Sequence, residues 1–475
     1  MLVAIALRLL FILKLSLIAP DSYVYGDIAK NWLHGVYGLS GGKTPGPGGS
    51  PVLNGIEATY IRLPGYPAFL ALCFLLFGRE HYHAVMFVNL FIDLATCFIT
   101  ADLALRTAGE RAARIAFALA ATCVLFANYV GIPLTETPAI FATVAALDGA
   151  VIALERWQKC PTATSHSSAA FARRAWILTG VAIAFGILLR PDGGILLAAV
   201  VGYLGLRWLR RTVTLRQAIA ASSLVIVIAL APLAPWTIRN WRVFNVFQPL
   251  APVYANSPGE YVPLGFIRWQ KTWIVDYSSV EDIWFHVPGD ELSLDALPAR
   301  AFDSDAQRQQ TAELFAQYNE TKTMSPGLDA RFSALAAVRI REHPLRYYVE
   351  LPVLRAVDLW FRPHTEMLPL DSHWWQFNQD LRDALFGTAV GLLGWFYVGA
   401  ALLALRPAIH VRYAGLFLLF FLLRTAFLAW MPNPEQRYML ECLPALLVFS
   451  AAGLGGIGSS GDRVIGSSRE SPRTM

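Results

Sequence analysis

The chain has 475 residues, of which 55% are hydrophobic and 15% are charged, and its mean hydropathy is +0.45. Soluble domains carry nearer ~25% charged residues, so the composition excludes an ordinary soluble protein and indicates an integral membrane protein. The net charge of +5 does not indicate a nucleic-acid partner, because the basic residues lie in short loops between apolar segments, where membrane topology accounts for them.

Apolar segments recur along the chain, and a membrane-crossing helix needs about 20 mostly apolar residues. We therefore expect an all-α polytopic protein with about 10–12 spans. The first segment contains Arg8 and Lys14 and lacks a small-residue cleavage site, so it is predicted to remain as a signal anchor. The candidate spans are residues 2–19, 84–105, 112–130, 133–154, 175–189, 193–208, 217–236, 383–405, 414–430 and 439–457.

The loops between these spans set the predicted topology. With the N-terminus inside, every inner loop is basic, as the positive-inside bias requires. Residues 64–77 are apolar but short and begin with proline, and counting them as a span would put all of these basic loops outside. We therefore place them on the outer face as an interfacial or re-entrant helix, in a multi-pass protein of a bacterial inner membrane. The inner loops hold Arg106, Arg111, Arg114, Arg156, Lys159, Arg173, Arg174, Arg207, Arg210, Arg211, Arg216, Arg406 and Arg412.

Four regions follow from this topology. Their predicted bounds are an N-terminal transmembrane catalytic module at 1–236 with a first extracytoplasmic loop at 20–83, an extracytoplasmic loop and juxtamembrane region at 237–382, C-terminal transmembrane helices at 383–457, and a disordered cytoplasmic tail at 458–475. Within the long outer region, residues 294–341 predict one or two amphipathic helices. Its tryptophans suit an interfacial belt. They are Trp269, Trp273, Trp284, Trp360, Trp374 and Trp375.

Several functional patterns are disfavoured. The glycine-rich tract 41–49 is predicted to be a flexible loop, because no strand precedes it and no Lys-Ser/Thr pair follows, as a phosphate cradle requires. The cysteines show neither a metal-ligand spacing nor a pair in an outer loop, so no disulfide and no cysteine metal site is expected.

Charged residues at the outer ends of apolar helices need an explanation, because each costs free energy unless it is solvated, paired or bound. Several fall within a turn or two of the same predicted membrane face, and we predict that they converge around one cavity. Asp93, Asp102 and Asp148 lie deeper and are predicted to pair between helices. The outer-face residues are Asp21, Glu136, Arg190, Asp192, Arg239, Arg242, Arg437 and Glu441.

Asp21 follows the first span directly, where hydrocarbon meets water. Asp21, Tyr25 and Ala29 are spaced four residues apart, which places them on one face of a helix. We interpret Asp21 as a candidate catalytic base and Arg62 as a candidate phosphate contact. The alternative is that Pro20-Asp21-Ser22 is only a helix stop followed by an N-cap.

The remaining candidates have comparable structural alternatives. Glu136 is either a first-turn acid favoured by the helix dipole or a second carboxylate that shares a divalent ion with Asp21 or orients an acceptor. Arg190 is either a dipole partner at a helix end or an anion ligand, and membrane anchoring accounts for most of the stretch around Arg239. Arg437, paired with Tyr438, opens the last helix, where a cation is disfavoured unless an anion is nearby.

These residues carry a resemblance to a known family. An Asp follows the first span, with Tyr and Ala after it at four-residue steps. Further along the chain, Arg62-Leu63-Pro64-Gly65-Tyr66-Pro67-Ala68-Phe69 precedes Leu76-Phe77-Gly78. This order of motifs resembles the GT-C superfamily of membrane glycosyltransferases. Within it, the chain is similar to the branch of the protein O-mannosyltransferases and the lipid A aminoarabinose transferase. Further likeness lies in Ala112–Ala116, Leu134–Glu136, Leu189–Pro191, Pro235–Asn240, Arg437-Tyr438 and Pro444.

The resemblance implies a GT-C-type helix bundle with a polyprenyl-phosphate sugar donor and transfer on the extracytoplasmic face. It matches Asp21 to the catalytic Asp of the first loop and Glu136 to a second acidic position, while Arg62 stands where some members have a Lys near the donor phosphate. The expected reaction is inverting transfer to a hydroxyl of a lipid, glycan or protein. A divalent Mg or Mn ion is a possible cofactor, with Asp21 and Glu136 as its ligands, and the residues expected to bind substrate are Tyr25, Arg62, Tyr66, Arg190, Arg239, Arg437 and Tyr438.

A transporter or flippase of a lipid-linked or anionic solute is the alternative function, since it would use the same arginines to bind phosphate. Transport favours charges near the bilayer midplane and two related halves with broken helices. The charges here gather on one predicted face, and the sequence shows no such halves.

Overall fold

The computed structural model describes residues 1–41, 51–159, 166–370, 373–375 and 381–466. The chain is mostly helical, and every predicted span coincides with a helix or a pair of helices, which confirms the expected helical membrane bundle. Seven helices in the described part are long and apolar enough to cross a membrane, or eight if one bent pair counts as a single span. This is fewer than the predicted spans because several helices are too short. Leu2–Lys14 has 13 residues and Ala414–Trp430 has 17.

The predicted glycine-rich loop at 41–49 lies, apart from Gly41, outside the described residues. The α-helices are α1 Leu2–Lys14, α2 Pro20–Trp32, α3 Gly65–Phe77, α4 Tyr82–Ala108, α5 Glu110–Ala121, α6 Val124–Val130, α7 Glu136–Lys159, α8 His166–Leu189, α9 Gly194–Leu209, α10 Leu215–Leu230, α11 Leu233–Phe244, α12 Leu264–Gln270, α13 Tyr277–Ile283, α14 Asp305–Thr321, α15 Pro326–Glu342, α16 Leu351–Phe361, α17 Leu381–Leu403, α18 Ala414–Trp430 and α19 Leu443–Gly466. Shorter 3-10 segments are Pro191–Gly193, Leu294–Ala296, Ala299–Ala301 and Gln436–Cys442, and Arg346–Glu350 is a π-helical turn.

The predicted span at 112–130 is broken, because α5 and α6 meet at an angle of 49°. The end of α5 leaves backbone carbonyls without helical partners. The fully buried Arg8 of α1 donates to the carbonyls of Ala120 and Ala121. Its Nε lies 2.7 Å from Oδ2 of Asp93 in α4, so a buried ion pair holds three helices at the break.

The deeper acids pair largely as predicted. Asp93 joins α4 to α1 through Arg8. Arg106 of α4 lies 3.5 Å from Asp148 and 3.2 Å from Glu155 of α7, which links those two helices. Asp102 pairs with Arg106 within its own helix.

The first outer loop contains a small antiparallel sheet that the sequence analysis did not predict. Its strands are β1 Gly38–Ser40, β2 Val52–Leu53 and β3 Ile56–Ala58, in the order β1-β3-β2. Asn54 and Gly55 form the β2–β3 turn with φ of 51° and 76°. Asn-Gly is the favoured pair for such a two-residue hairpin turn, so the signal was present in the sequence.

The chain divides into two compact units. The first comprises Met1–Gly259, Trp395–Phe421 and Leu440–Met475, and the second comprises Glu260–Gly394 and Leu422–Met439. The helices α14 and α15 of the second unit confirm the amphipathic helices predicted at 294–341.

The second unit has its own aromatic core, and this corrects one prediction. Trp269 and Trp273 are 0% and 1% exposed and pack with Phe266, Phe315 and Phe332 rather than forming an interfacial belt. Burying these large aromatic side chains in a common core stabilises the unit. A carboxylate fixes the packing, because Asp329 of α15 accepts from the backbone N–H groups of Gly265 and Phe266 at the start of α12.

Two further predictions concern the cysteines and the tail. Cys73, Cys97, Cys123 and Cys442 are free and buried, while Cys160 lies outside the described residues.

The last helix continues to Gly466 instead of ending at 457, so the predicted disordered tail 458–475 is helical in its first part. A helix propagates more easily than it nucleates, which favours this extension. Residues 467–475 lie outside the described part of the chain.

Candidate active site

Asp21 and Arg62 form an ion pair in the first unit. The helix α2 begins with Pro20 at its first position and has Ala19 as N-cap, so Asp21 lies in the first turn rather than at the cap. Its Oδ1 accepts a hydrogen bond from Arg62 Nη2 at 2.8 Å. The side chains are 36% and 20% exposed, so the pair is open to solvent on one side. The predicted base and the predicted phosphate contact are therefore neighbours.

Two tyrosines line the buried side of this pair. The Arg62 guanidinium lies 5.4 Å from the ring centre of Tyr25, one helical turn after Asp21. Tyr25 packs edge-on against Tyr66 of α3, with 5.0 Å between ring centres. Tyr66 is fully buried, and its hydroxyl has no hydrogen-bond partner among the described residues. A buried hydroxyl without a partner costs free energy, which a bound ligand would recover.

The second ion pair joins α7 to the end of α8. These helices form an antiparallel hairpin, so the start of one lies beside the end of the other. Glu136 is the first residue of α7 and is 4% exposed, and its Oε1 lies 3.2 Å from Arg190 Nη1. Arg190 is extended and also lies 3.1 Å from Asp192 and 3.9 Å from Glu441. Three carboxylates therefore surround one guanidinium.

Tyr25 lies near both ion pairs. The charges of Arg62, Asp21, Arg190 and Glu136 all act on the Tyr25 hydroxyl, whose pKa is raised chiefly by burial. Burial likewise raises the pKa of Tyr66 well above its ordinary value, with Glu136 and Tyr25 adding to the effect. Both phenols therefore remain protonated donors at neutral pH. Of the outer-face residues predicted to converge, Glu136, Arg190, Asp192 and Glu441 lie in one cluster, and the charge of Asp21 acts on the same tyrosine as those of Glu136 and Arg190.

The arginines beside Asp21 and Glu136 bear on the hypothesis that these two carboxylates bind a divalent ion. Asp21 and Glu136 each pair with a guanidinium, Asp21 with Arg62 and Glu136 with Arg190. In the described residues, one group of three His, Cys, Asp or Glu side chains brings its ligand atoms within 4.8 Å, and it consists of Asp303, Glu342 and His343. Neither candidate metal ligand belongs to it. An arginine thus supplies the positive charge at each carboxylate.

Arg239 contacts the first loop instead of the two ion pairs. Its Nη1 donates to the carbonyl of Thr59 at 2.7 Å and its Nη2 to the carbonyl of Tyr37 at 2.9 Å. The guanidinium also lies 5.3 Å from the ring centres of Tyr37 and Trp236. These contacts hold the outer sheet on α11, so the visible contribution of Arg239 is to the shape of the loop.

Arg437 and Tyr438 belong to the second unit, within the 3-10 segment before α19. The anion expected near Arg437 is Glu435, which forms an ion pair with its Nε and is 2% exposed. The Tyr438 hydroxyl donates to Oε1 of the same carboxylate at 3.1 Å. The chain itself thus supplies an anion near Arg437.

One contributor to the site was not predicted. Thr143 donates to Oε2 of Glu441 at 3.2 Å, so it fixes one of the carboxylates around Arg190. Thr143 follows Glu136 by seven residues, and residues two helical turns apart share a face. That seven-residue spacing was the available signal that Thr143 lies on the same helix face as Glu136. The spacing alone does not identify Thr143 as part of the site, because it does not show that α19 packs beside α7.

The fold defines the class of protein: a multi-pass membrane protein with a GT-C-type helix bundle. No known protein-family model matches the chain, and no curated protein matches it.

Solved structures supply the likeness in fold. The archaeal oligosaccharyltransferase AglB from Archaeoglobus fulgidus, in complex with an inhibitory peptide and a dolichol-phosphate, matches with a TM-score of 0.51 and 13% identity over 100% of this chain and 51% of that chain. The A. fulgidus oligosaccharyltransferase tethered to an acceptor peptide matches with a TM-score of 0.51 and 15% identity over 98% of this chain and 50% of that one. ArnT from Cupriavidus metallidurans bound to undecaprenyl phosphate has a TM-score of 0.41 and 14% identity over 100% of this chain and 80% of its own. This chain spans about half the length of the archaeal enzymes, and the likeness concerns the fold alone.

Proposed function

We propose that this protein is a glycosyltransferase that moves a sugar from a polyprenyl-phosphate donor to a hydroxyl acceptor on the extracytoplasmic face of a bacterial inner membrane. The observation that carries the proposal is that Tyr25 lies within electrostatic reach of two ion pairs, Asp21 with Arg62 and Glu136 with Arg190. Such a site offers both a base for a hydroxyl and cations for a phosphate. The archaeal enzyme that shares the fold was solved with a dolichol-phosphate.

The chemistry requires little beyond these groups. The acceptor hydroxyl oxygen forms a bond to the anomeric carbon as the bond from that carbon to the phosphate oxygen breaks. The electron pair stays on the phosphate, and guanidinium groups stabilise the added charge. The proton of the hydroxyl passes to the Asp21 carboxylate, which acts as general base. A single displacement of this kind inverts the anomeric configuration.

The Asp21–Arg62 pair suggests how the base becomes available. A donor phosphate competes with Asp21 for the Arg62 guanidinium, because arginine binds phosphate and carboxylate with the same fork of donors. Binding of the donor would therefore release the carboxylate at the place where the acceptor arrives. In this proposal Arg190 is the second phosphate contact, and Glu136 orients Arg190 or the acceptor, which is a lipid, glycan or protein.

Asp21→Asn tests the proposal. The variant keeps the size of the side chain and one acceptor oxygen but removes the base, so we expect transfer from a labelled polyprenyl-phosphate sugar to fall by at least roughly 100-fold. Asp27→Asn is the matched control in the same helix, since Asp27 contacts Ser40 and Lys30 instead. Equal activity of Asp21→Asn and the native protein would remove Asp21 from the mechanism.

The same donor separates transfer from transport. If the purified protein is a transferase, it releases free lipid phosphate from the donor. If it is a flippase, the protein reconstituted in vesicles moves the intact donor between leaflets. Movement of intact donor without release of lipid phosphate would favour the transporter.

A further inference from the structure

A cavity lies at the end of α7 that is away from Glu136. It is lined by the end of α7 and by the turn between α9 and α10, and its volume is about 510 Å³. From Glu136 to Gln158 the helix rises roughly 33 Å at 1.5 Å per residue. That distance matches the hydrocarbon thickness of a bilayer. The cavity and the candidate active site therefore face opposite membrane surfaces.

The lining of this cavity is suited to an anion. Arg207 and Arg211 contribute guanidinium groups, Thr212 and Thr214 contribute hydroxyls, and the described lining residues include no carboxylate. The turn also carries Arg210 and Arg216 within ten residues of sequence. Arginine guanidinium groups are typical of phosphate recognition.

Local contacts hold these donors in place. The Arg207 guanidinium lies 5.9 Å from the ring centre of Tyr203 and 5.8 Å from that of Tyr413, and its Nε donates to Thr212 Oγ1 at 2.5 Å. The backbone of Arg211 has a φ of 55°, a left-handed conformation that non-glycine residues rarely adopt. Such a strained position persists where the surrounding structure fixes it and is frequent at binding sites.

The rim of the cavity is apolar on the side that would face lipid. Trp208 and Leu215 line the cavity and are 41% and 49% exposed, and Leu209 beside them is 66% exposed. Acyl chains would cover these side chains in a bilayer. A ligand with both a phosphate and hydrocarbon tails therefore fits the whole surface better than a soluble phosphate ester does.

We propose that this cavity binds the phosphate headgroup of an anionic phospholipid in the leaflet opposite the candidate active site. Arg207 and Arg211 contact the phosphate, and Trp208 lies at the level of the ester groups. The site is separate from the proposed transfer reaction and does not depend on it.

Native mass spectrometry of the full chain in detergent tests the proposal by titration with phosphatidylglycerol, phosphatidylcholine or soluble glycerol phosphate. We expect one phosphatidylglycerol to bind in preference to the other two. Arg211→Gln should weaken this binding roughly tenfold, as expected for the loss of a charge-assisted hydrogen bond. Arg210→Gln is the matched control. It removes the same charge from the neighbouring residue, whose side chain does not line the cavity. It should change binding by less than about twofold.

Several outcomes would overturn the proposal. Equal weakening by Arg211→Gln and Arg210→Gln would indicate diffuse attraction to a basic surface, and equal binding of phosphatidylcholine would remove the requirement for an anionic headgroup. Glycerol phosphate binding as tightly as the lipid would replace the lipid with a soluble phosphate ester. Thermal unfolding of each variant separates lost binding from lost folding. If Arg211→Gln fails to fold, Arg211→Lys provides the comparison, since it keeps the charge but loses the forked geometry.

Discussion

Gly65 lies directly against the backbone of Leu188. A Cβ atom added to Gly65 would stand 2.5 Å from the carbonyl carbon of Leu188, closer than side chains and backbone approach in proteins. This contact brings the start of α3, with Tyr66, onto the last turn of α8, which leads into Arg190. The glycine in the Arg-Leu-Pro-Gly-Tyr-Pro stretch is therefore required for close packing between two distant parts of the chain.

Gly65→Ala should impair the proposed transfer reaction. The added methyl group forces α3 away from α8 and moves Tyr66 relative to Glu136 and Arg190, and a displacement of about 1 Å at such a site can cost roughly 100-fold in rate. The measurement is the rate of sugar transfer with saturating donor. Gly194→Ala is the control, because a Cβ there has no heavy atom within 4 Å. A Gly65→Ala protein with native activity would show that this packing does not position the site.

Arg190→Gln should destabilise the first unit by roughly 3–5 kcal/mol, the usual result of breaking a buried ion pair from one side. Glu136, Asp192 and Glu441 would then repel one another without the central cation. Thermal unfolding in a single detergent measures the change.

The double variant Arg190→Gln/Glu136→Gln removes one of the repelling charges and should recover part of the lost stability. Its transfer activity should stay low, because the phosphate contact is still absent. An unfolding temperature of Arg190→Gln equal to that of the native protein would contradict this account of the cluster.

The second unit should lose stability as the pH rises. Burial raises the pKa of Asp358 to about 7, with Arg362 at 3.8 Å acting in the opposite direction. The pKa of an unfolded aspartate is about 3.9, so the folded state holds this proton more tightly. The stability it contributes is present below pH ~4 and is lost as the pH rises through ~7.

Asp358→Asn should therefore stabilise the protein at pH 8 by roughly 2–4 kcal/mol and have little effect near pH 4, as measured by thermal unfolding across that range. Asp295→Asn makes the same chemical change at a carboxylate that is 94% exposed, and serves as the control. An equal effect of Asp358→Asn at both pH values would show that titration of this carboxylate does not limit stability.

Chelation should leave the proposed activity unchanged within about twofold, because guanidinium groups already neutralise Asp21 and Glu136. The measurement compares transfer before and after treatment with EDTA, followed by addition of Mg²⁺ or Mn²⁺. Loss of activity that Mn²⁺ restores would instead make the two carboxylates metal ligands.

Local patterns predicted the elements well and their partners poorly. The Asn54-Gly55 turn and the β-branched residues around it indicated a hairpin, yet neighbouring glycines obscured the signal. The amphipathic rings of Trp269 and Trp273 suit a membrane interface, so the sequence alone predicts them there. Composition alone does not distinguish an interface from the core of a folded unit.

The sequence by itself determined the membrane class, the positions of the helices and the carboxylates and arginines at helix ends, because hydrophobic run length and helical spacing are local properties. Only the tertiary structure decided which distant charges meet: Asp21 with Arg62, and Arg190 with Glu136. Ion pairing depends on distances of a few ångströms between residues far apart in the chain. Helix packing sets those distances, through contacts as specific as Gly65 against Leu188.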